Sequence, residues 1–201
     1  MGVQGGLAKI PARGAVTLDD EAALVAAAQR NRRDFGPLYA RYANPVYKYC
    51  FAQLGNRQAA EDATSLVFTK ALDGLSRFHG GSFRAWLFTI ARNVVTDQFR
   101  ARRFDAPIEA ATAVAAPGAA LDDLAADADR DRGLRALLAD LTPDQRQVIE
   151  LRLLGLAGPE VAVALDRSHA WVKVTQFRAI ERLRAMMGVT VEPKEGIDGG
   201  P

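Results

Sequence analysis

A chain of 201 residues with 49% hydrophobic and 25% charged residues has the composition of a globular protein, as one large domain or two small ones. A single cysteine excludes an internal disulfide, and with only two histidines beside it no zinc centre is expected. The net charge of +2 is too small to indicate a partner, no apolar run approaches the roughly 20 residues of a membrane span, and the start MGVQGGLAKIPARG has no apolar signal core, so the expected compartment is the cytoplasm with no membrane insertion.

Residues 1–17 are Gly-rich and aperiodic and are expected to be disordered. The capping cluster Thr17, Leu18, Asp19, Asp20 predicts a helix start before EAALVAAAQR. In FGPLYARYANPVYKYCFAQLG, the positions Phe35, Leu38, Tyr42, Val46, Tyr49 and Leu54 recur at helical spacing, with Pro45 either bending the helix or sitting in a first turn. Asn56 is placed to cap RQAAEDATSLVFTKALDGL, whose buried stripe is Ala60, Ala63, Val67, Ala71 and Leu75. Glu61 and Asp62 fall in its expected first turn, where the helix dipole favours them.

After the loop SRFHGG, Ser82 caps FRAWLFTIARNVVTDQFRARR, with Phe83, Leu87, Ile90 and Val94 on one face. Residues 84–103 hold five arginines (84, 92, 100, 102 and 103) against one acid, Asp97. Residues 104–129 hold six acids and no Lys or Arg. That second stretch is rich in Ala, Pro and Gly and lacks the apolar surface to offset its ordering entropy, so residues 105–131 read as a flexible acidic linker. A basic, acidic, basic order fits two nucleic-acid-facing modules joined by a segment that avoids nucleic acid.

The second unit, 132–188, contains Thr142-Pro143-Asp144-Gln145, a capping box with Pro at the first helical position. Gly158 to Arg184 then reads as a helix-turn-helix: a short apolar helix, a stop at Asp166-Arg167-Ser168, and a longer basic helix. Ala162 is the small residue where two steeply crossed helices nearly touch, and Leu165 and Val172 close their core. The turn needs a positive φ, and Asp166 stands where Gly is usual. Residues 189–201 read as a tail, and the expected class is all-α with two small helical domains. An ordinary amphipathic hairpin would show the same helix-turn-helix pattern, and the arginines alone would suit a solvated face. The loop Arg77-Phe78-His79-Gly80-Gly81 argues against that second reading, because Phe78 and His79 offer stacking surfaces for an unpaired base. Trp86 suits core packing better than stacking. No Ser-His-Asp set, phosphate-binding glycine loop or metal-ligand spacing occurs, so neither an enzyme nor a cofactor is expected.

The residues LYARYANPVYKYC, AEDATSLVFTKAL and SFRAWLFTIARNVVTD, followed by LTPDQRQVIELRLL and the helix-turn-helix, resemble the extracytoplasmic-function group of bacterial sigma factors in the sigma-70 family. The resemblance implies a promoter-melting domain over 18–104 and a −35-reading domain over 132–188. Its implied partners are core RNA polymerase, through the clamp coiled coil and flap of the large subunits, promoter DNA, and an anti-sigma factor. Glu61, Asp62, Ser65, Leu66 and Thr69 match the polymerase-binding surface, with Ser65 and Leu66 standing where polar or acidic residues are frequent. Arg77, Phe78, His79, Gly80, Arg84, Asn93, Asp97 and Arg100 match the −10 surface. Ser168, His169, Trp171, Lys173, Val174, Phe177 and Arg178 match the −35 surface, where Val174 and Thr175 replace polar and basic residues common in the family. The rival reading is a stand-alone regulator that uses only the C-terminal helix-turn-helix and needs no polymerase.

Overall fold

A computed structural model describes the backbone of residues 18–105 and 137–187. The disorder expected at 1–17, most of the 105–131 linker and the 189–201 tail lie outside the described residues. Among the described residues all regular structure is helical. The first unit contains α1 (Leu18–Arg30), α2 (Gly36–Leu54), α3 (Arg57–Gly74) and α4 (Phe83–Asp105), with short 3-10 turns at Arg32–Phe35 and Leu75–Arg77. The second contains α5 (Pro143–Leu153), α6 (Gly158–Leu165) and α7 (His169–Met186).

Each boundary has a local cause. Asn31 caps the first 3-10 turn by accepting from Arg33 N–H, and Pro37 occupies the first turn of α2. Pro45 therefore lies inside α2 rather than at a helix start. Asn56 accepts from Ala59 N–H at 2.9 Å to start α3, and Ser82 Oγ accepts from Ala85 N–H at 3.1 Å to start α4. The Thr142 capping box forms in both directions with Gln145. Two chain reversals close as Schellman motifs: Gly155 at φ 88° with Leu156 N–H donating to Leu151 O, and Asp166 at φ 54° with Arg167 N–H donating to Ala162 O.

The stripes read from periodicity are the core. Phe35, Leu38, Tyr42, Val46, Tyr49 and Leu54 of the second segment are buried, as are Ala60, Ala63, Val67, Ala71 and Leu75 of the third. Phe83, Leu87 and Val94 of α4 join them, while Ile90 is half-buried. One correction concerns α3: it begins at Arg57, so Glu61 and Asp62 stand in the second turn, not the first. There they face Arg57 (3.0 Å from Glu61) and Gln58 (3.1 Å from Asp62) one turn back, and local pairing replaces the dipole as their main local interaction.

The hydrophobic core does not stop at the end of the first unit. Val148, Leu151, Leu156, Val161, Ala162, Ala164, Leu165 and Val172 are continuous with the buried residues of α2, α3 and α4. Helix α6 lies along α4, so the first helix of the helix-turn-helix is also the docking surface between the two units. Helices α5 and α7 close a smaller satellite core of Leu138, Leu141, Ile149 and Ala179.

Candidate nucleic-acid interface

Helix α4 presents two unlike faces. Asn93, Asp97 and Arg100 are exposed on one, with Asp97 lying 3.9 Å from Lys70 and 3.7 Å from Arg100. Beside them is a recess of about 310 Å³ lined by Lys70, Gly74, Arg77, Trp86, Ile90 and Asn93. Trp86 floors it by lying against α3, where a Cβ on Gly74 would come within 3.1 Å of the indole. A cationic rim over an apolar aromatic floor can hold a phosphate and a stacked base together.

The other face of α4 is turned toward the helix-turn-helix. Arg84, expected on the −10 surface, pairs instead with Glu160 of α6 at 2.8 Å. Arg92 donates to the carbonyl of Ala164 at 3.4 Å. Glu160 also accepts from Ser82 Oγ at 2.5 Å and from Ala157 N–H at 2.6 Å, the return half of a capping box for α6. Burial alone would raise the Glu160 carboxyl, but the bonds from Ser82, Ala157 and Arg84 outweigh it and hold the group below its ordinary value.

The loop between α3 and α4 is split in the same way. Phe78 turns inward and is half-buried, 5.1 Å from the Trp86 ring and 5.8 Å from that of Phe83, so its face is committed to an aromatic cluster. Arg77, His79 and Gly80 are exposed, and Gly80 and Gly81 adopt φ of 72° and 81°, a region that favours glycine. The expected −10 residues thus fall into three groups. Arg77, His79, Gly80, Asn93, Asp97 and Arg100 are exposed, with Arg77 and Asn93 lining the recess, Phe78 packs inward, and Arg84 sits at the junction between units. Lys70, Gly74, Trp86 and Ile90 complete the recess beyond the expected residues. No periodicity reports which turn of α3 opposes which turn of α4.

Glu61, Asp62, Ser65, Leu66 and Thr69 form one exposed stripe along α3, held by the Arg57 and Gln58 contacts and by Thr69 Oγ1 donating to Ser65 O at 2.9 Å. Leu66 is an exposed apolar residue in the middle of that stripe.

In the helix-turn-helix, Ala162, Leu165 and Val172 are buried as the spacing requires. Ser168 caps α7 through Trp171 N–H at 3.2 Å, and Arg167 lies 5.5 Å from the Trp171 ring in a cation–π contact. His169 is exposed, its ring resting where a Cβ on Gly158 would meet it at 2.9 Å. Lys173, Val174, Phe177 and Arg178 are exposed on one face of α7, with Phe177 65% and Val174 49% accessible. Thr175 departs from the expected outward set: it is buried, because its register on α7 aligns with Val172 and Ala179.

Among the described residues no cluster of His, Cys, Asp or Glu could hold a metal ion, and no helix is long and apolar enough to cross a membrane.

Residues 38–104 match the family described as Sigma-70 region 2. The chain is 34% identical over 172 residues to the ECF RNA polymerase sigma factor BldN of Streptomyces coelicolor, covering 82% of this chain and 64% of that relative's length. It is 33% identical over 164 residues to the ECF RNA polymerase sigma factor SigX of Bacillus subtilis, covering 76% of this chain and 83% of SigX. In fold it is similar to CnrH, solved in complex with the cytosolic domain of CnrY, with a TM-score of 0.61, 26% identity and coverage of 84% and 97% of the two chains. The sigma factor RpoE of Bartonella quintana shares the fold with a TM-score of 0.62 and 23% identity over 79% of this chain and 99% of that one. The helical architecture agrees with these similarities, and the chain belongs to the extracytoplasmic-function sigma factors of the sigma-70 family.

Proposed function

We propose that the chain binds core RNA polymerase and directs it to specific promoters, reading the −35 element with α7 and holding the opened −10 strand at the recess. One observation carries the reading: the chain presents two separate surfaces that combine cationic and aromatic side chains, the Lys70–Arg77–Trp86–Asn93 recess and the Lys173–Val174–Phe177–Arg178 face. A stand-alone regulator would need only the second. Lys173 and Arg178 supply phosphate and base-edge donors, and Val174 and Phe177 supply apolar contact in the major groove. Arg77, Lys70 and Arg100 hold phosphates around the recess, the exposed His79 supplies a ring surface for an extruded base, and Trp86, packed against Phe78, Phe83 and the core, forms the apolar floor. The acidic and apolar stripe from Glu61 to Thr69 is the surface offered to the clamp coiled coil of the polymerase. Family membership supports an anti-sigma partner in the cytoplasm. The complex of CnrH with the cytosolic domain of CnrY shows that a chain of this fold accepts a protein partner.

The test is run-off transcription from the DNA upstream of the chain's own coding region, with bacterial core polymerase free of other sigma factors. A discrete transcript that requires both components is the expected result. Tight footprinting by the chain alone on a palindrome, with no transcript, would establish the regulator instead.

A further inference from the structure

Helix α1 carries none of the residues assigned to polymerase or DNA, yet it supplies the contacts that bracket the loop between α3 and α4. Gln29, in its last turn, donates both N–H groups of one amide, to Leu75 O at 3.0 Å and to Phe78 O at 2.8 Å. These carbonyls belong to the first residue of the 3-10 turn Leu75–Arg77 and to the residue that ends it. The turn's own closure is Phe78 N–H donating to Leu75 O at 3.1 Å. At the far end of the loop, buried Glu21 accepts Phe83 N–H at 2.9 Å and the Tyr42 hydroxyl. Just past α1, Arg32 pairs with Asp73 at 2.9 Å. The loop is therefore tied at both ends to one short segment, while a Cβ at either Gly80 or Gly81 at its tip would meet nothing within 4 Å.

We propose that Gln29 is a positioning residue for single-strand capture: by fixing the peptide planes at Leu75 and Phe78, it sets Arg77 at the rim of the recess, and the course of the loop through the exposed His79, before DNA arrives. This role rests on the recess being the strand-binding surface. Two features separate it from general stabilisation. Gln29 is exposed, so its side chain contributes little burial, and both of its bonds go to a single turn 46 and 49 residues away in sequence. Both partners are carbonyls, so only the NH2 side of the amide can face them, and the orientation is fixed by chemistry. Without the brace, a loop with two consecutive glycines at positive φ would have to be ordered at the moment of strand capture, and that entropy would be taken from binding. Each bond is worth on the order of threefold in an equilibrium, so removing both should cost about tenfold in strand opening.

Three variants and two readouts test it. Gln29→Met keeps the reach and removes the donors, Gln29→Glu keeps the shape and offers only acceptors, and Gln29→Lys restores an N–H donor. In the free chain, amide exchange at Phe78, which closes the turn, should accelerate about tenfold in the Met and Glu variants and recover in the Lys variant. In the polymerase holoenzyme, permanganate reactivity at the chain's own promoter should fall about tenfold with Met and Glu, recover with Lys, and leave competition for core unchanged. Unchanged Phe78 exchange in the Met and Glu variants overturns the brace itself. Faster exchange with wild-type strand opening overturns its role in capture, as does equal loss with Lys, Met and Glu. A wild-type holoenzyme that opens no promoter removes the underlying reading and the proposal with it, and the exchange result then describes the loop alone.

Discussion

Arg84, in the first turn of the basic helix α4, is held by Glu160 of the helix-turn-helix through two bonds, Nε at 3.2 Å and Nη2 at 2.8 Å. The same carboxylate holds Ser82 and the start of α6, so one side chain joins the two units and caps a helix. A phosphate at Arg84 would compete with Glu160 for the same guanidinium. Glu160→Ala should therefore destabilise the docked arrangement by about 1–3 kcal/mol, since it leaves a partly buried arginine without its partner. Small-angle scattering of the variant should give a larger radius of gyration than wild type, and denaturant unfolding should separate toward two transitions.

Glu150 sits where α5 meets α2, accepting a hydrogen bond from Gln53. Burial pushes its carboxyl up to about 7, with Arg146 and Gln53 opposing the shift, and Tyr49 lies close enough to feel the charge. A carboxyl whose folded value lies above its unfolded value binds more protons in the folded state. Stability is then highest below about pH 4.5 for this group, declines as pH rises toward 7, and levels off above. Glu150→Gln should remove this decline and raise stability at pH 8 by an amount on the order of 2–3 kcal/mol. Urea titrations of both proteins at pH 5.5 and pH 8 would measure it, and a parallel pH dependence in the two would contradict it.

Asp166 occupies the left-handed residue of the Schellman turn between α6 and α7. Asp tolerates that conformation better than most residues but less well than Gly. Asp166→Gly should stabilise the chain by up to about 1 kcal/mol, and Asp166→Val should destabilise it by at least as much. Thermal melts would rank the three, and Val equal to Asp would show that the turn repacks.

Lys173 and Arg178 are exposed on α7, so removing them should spare the fold. The double variant Lys173→Ala, Arg178→Ala should abolish transcription from the cognate promoter while leaving polymerase binding within about twofold. The salt slope of binding to DNA should fall by about 2, one for each phosphate no longer neutralised. Equally weakened polymerase binding would move these residues to a different surface.

Leu66 is the exposed apolar centre of the α3 stripe. Leu66→Asp should weaken core binding by roughly tenfold or more, the effect of desolvating a charge at a protein interface, without lowering the melting temperature. Competition against a labelled sigma factor for core would read this directly.

Helix positions, caps and core stripes were legible in the sequence because they depend on neighbours three or four residues away. Asn56, Ser82 and Thr142 cap as their side-chain chemistry dictates, and both apolar stripes, from Phe35 to Leu54 and from Ala60 to Leu75, are buried throughout. The left-handed Asp166 was also legible, because a stop between two helical patterns requires such a residue. Glu61 and Asp62 lie one turn deeper in α3 than a dipole role needs, and their partners are the side chains four residues back.

What tertiary structure alone decided is which face of a helix meets which partner. Five arginines along 84–103 read as one basic surface, but the crossing of α6 over α4 takes Arg84 and Arg92 to one side and leaves Arg100 on the other. Phe78 and His79 are adjacent in sequence, yet the aromatic cluster takes the first and leaves the second in solvent. Gln29 carries no signal of its own, because an exposed glutamine in an amphipathic helix is ordinary until its partners, 46 and 49 residues away, are brought to it. Local sequence sets periodicity and capping through short-range sterics and hydrogen bonds. The pairing of faces follows from burying the whole apolar surface at once, a condition that no single segment contains.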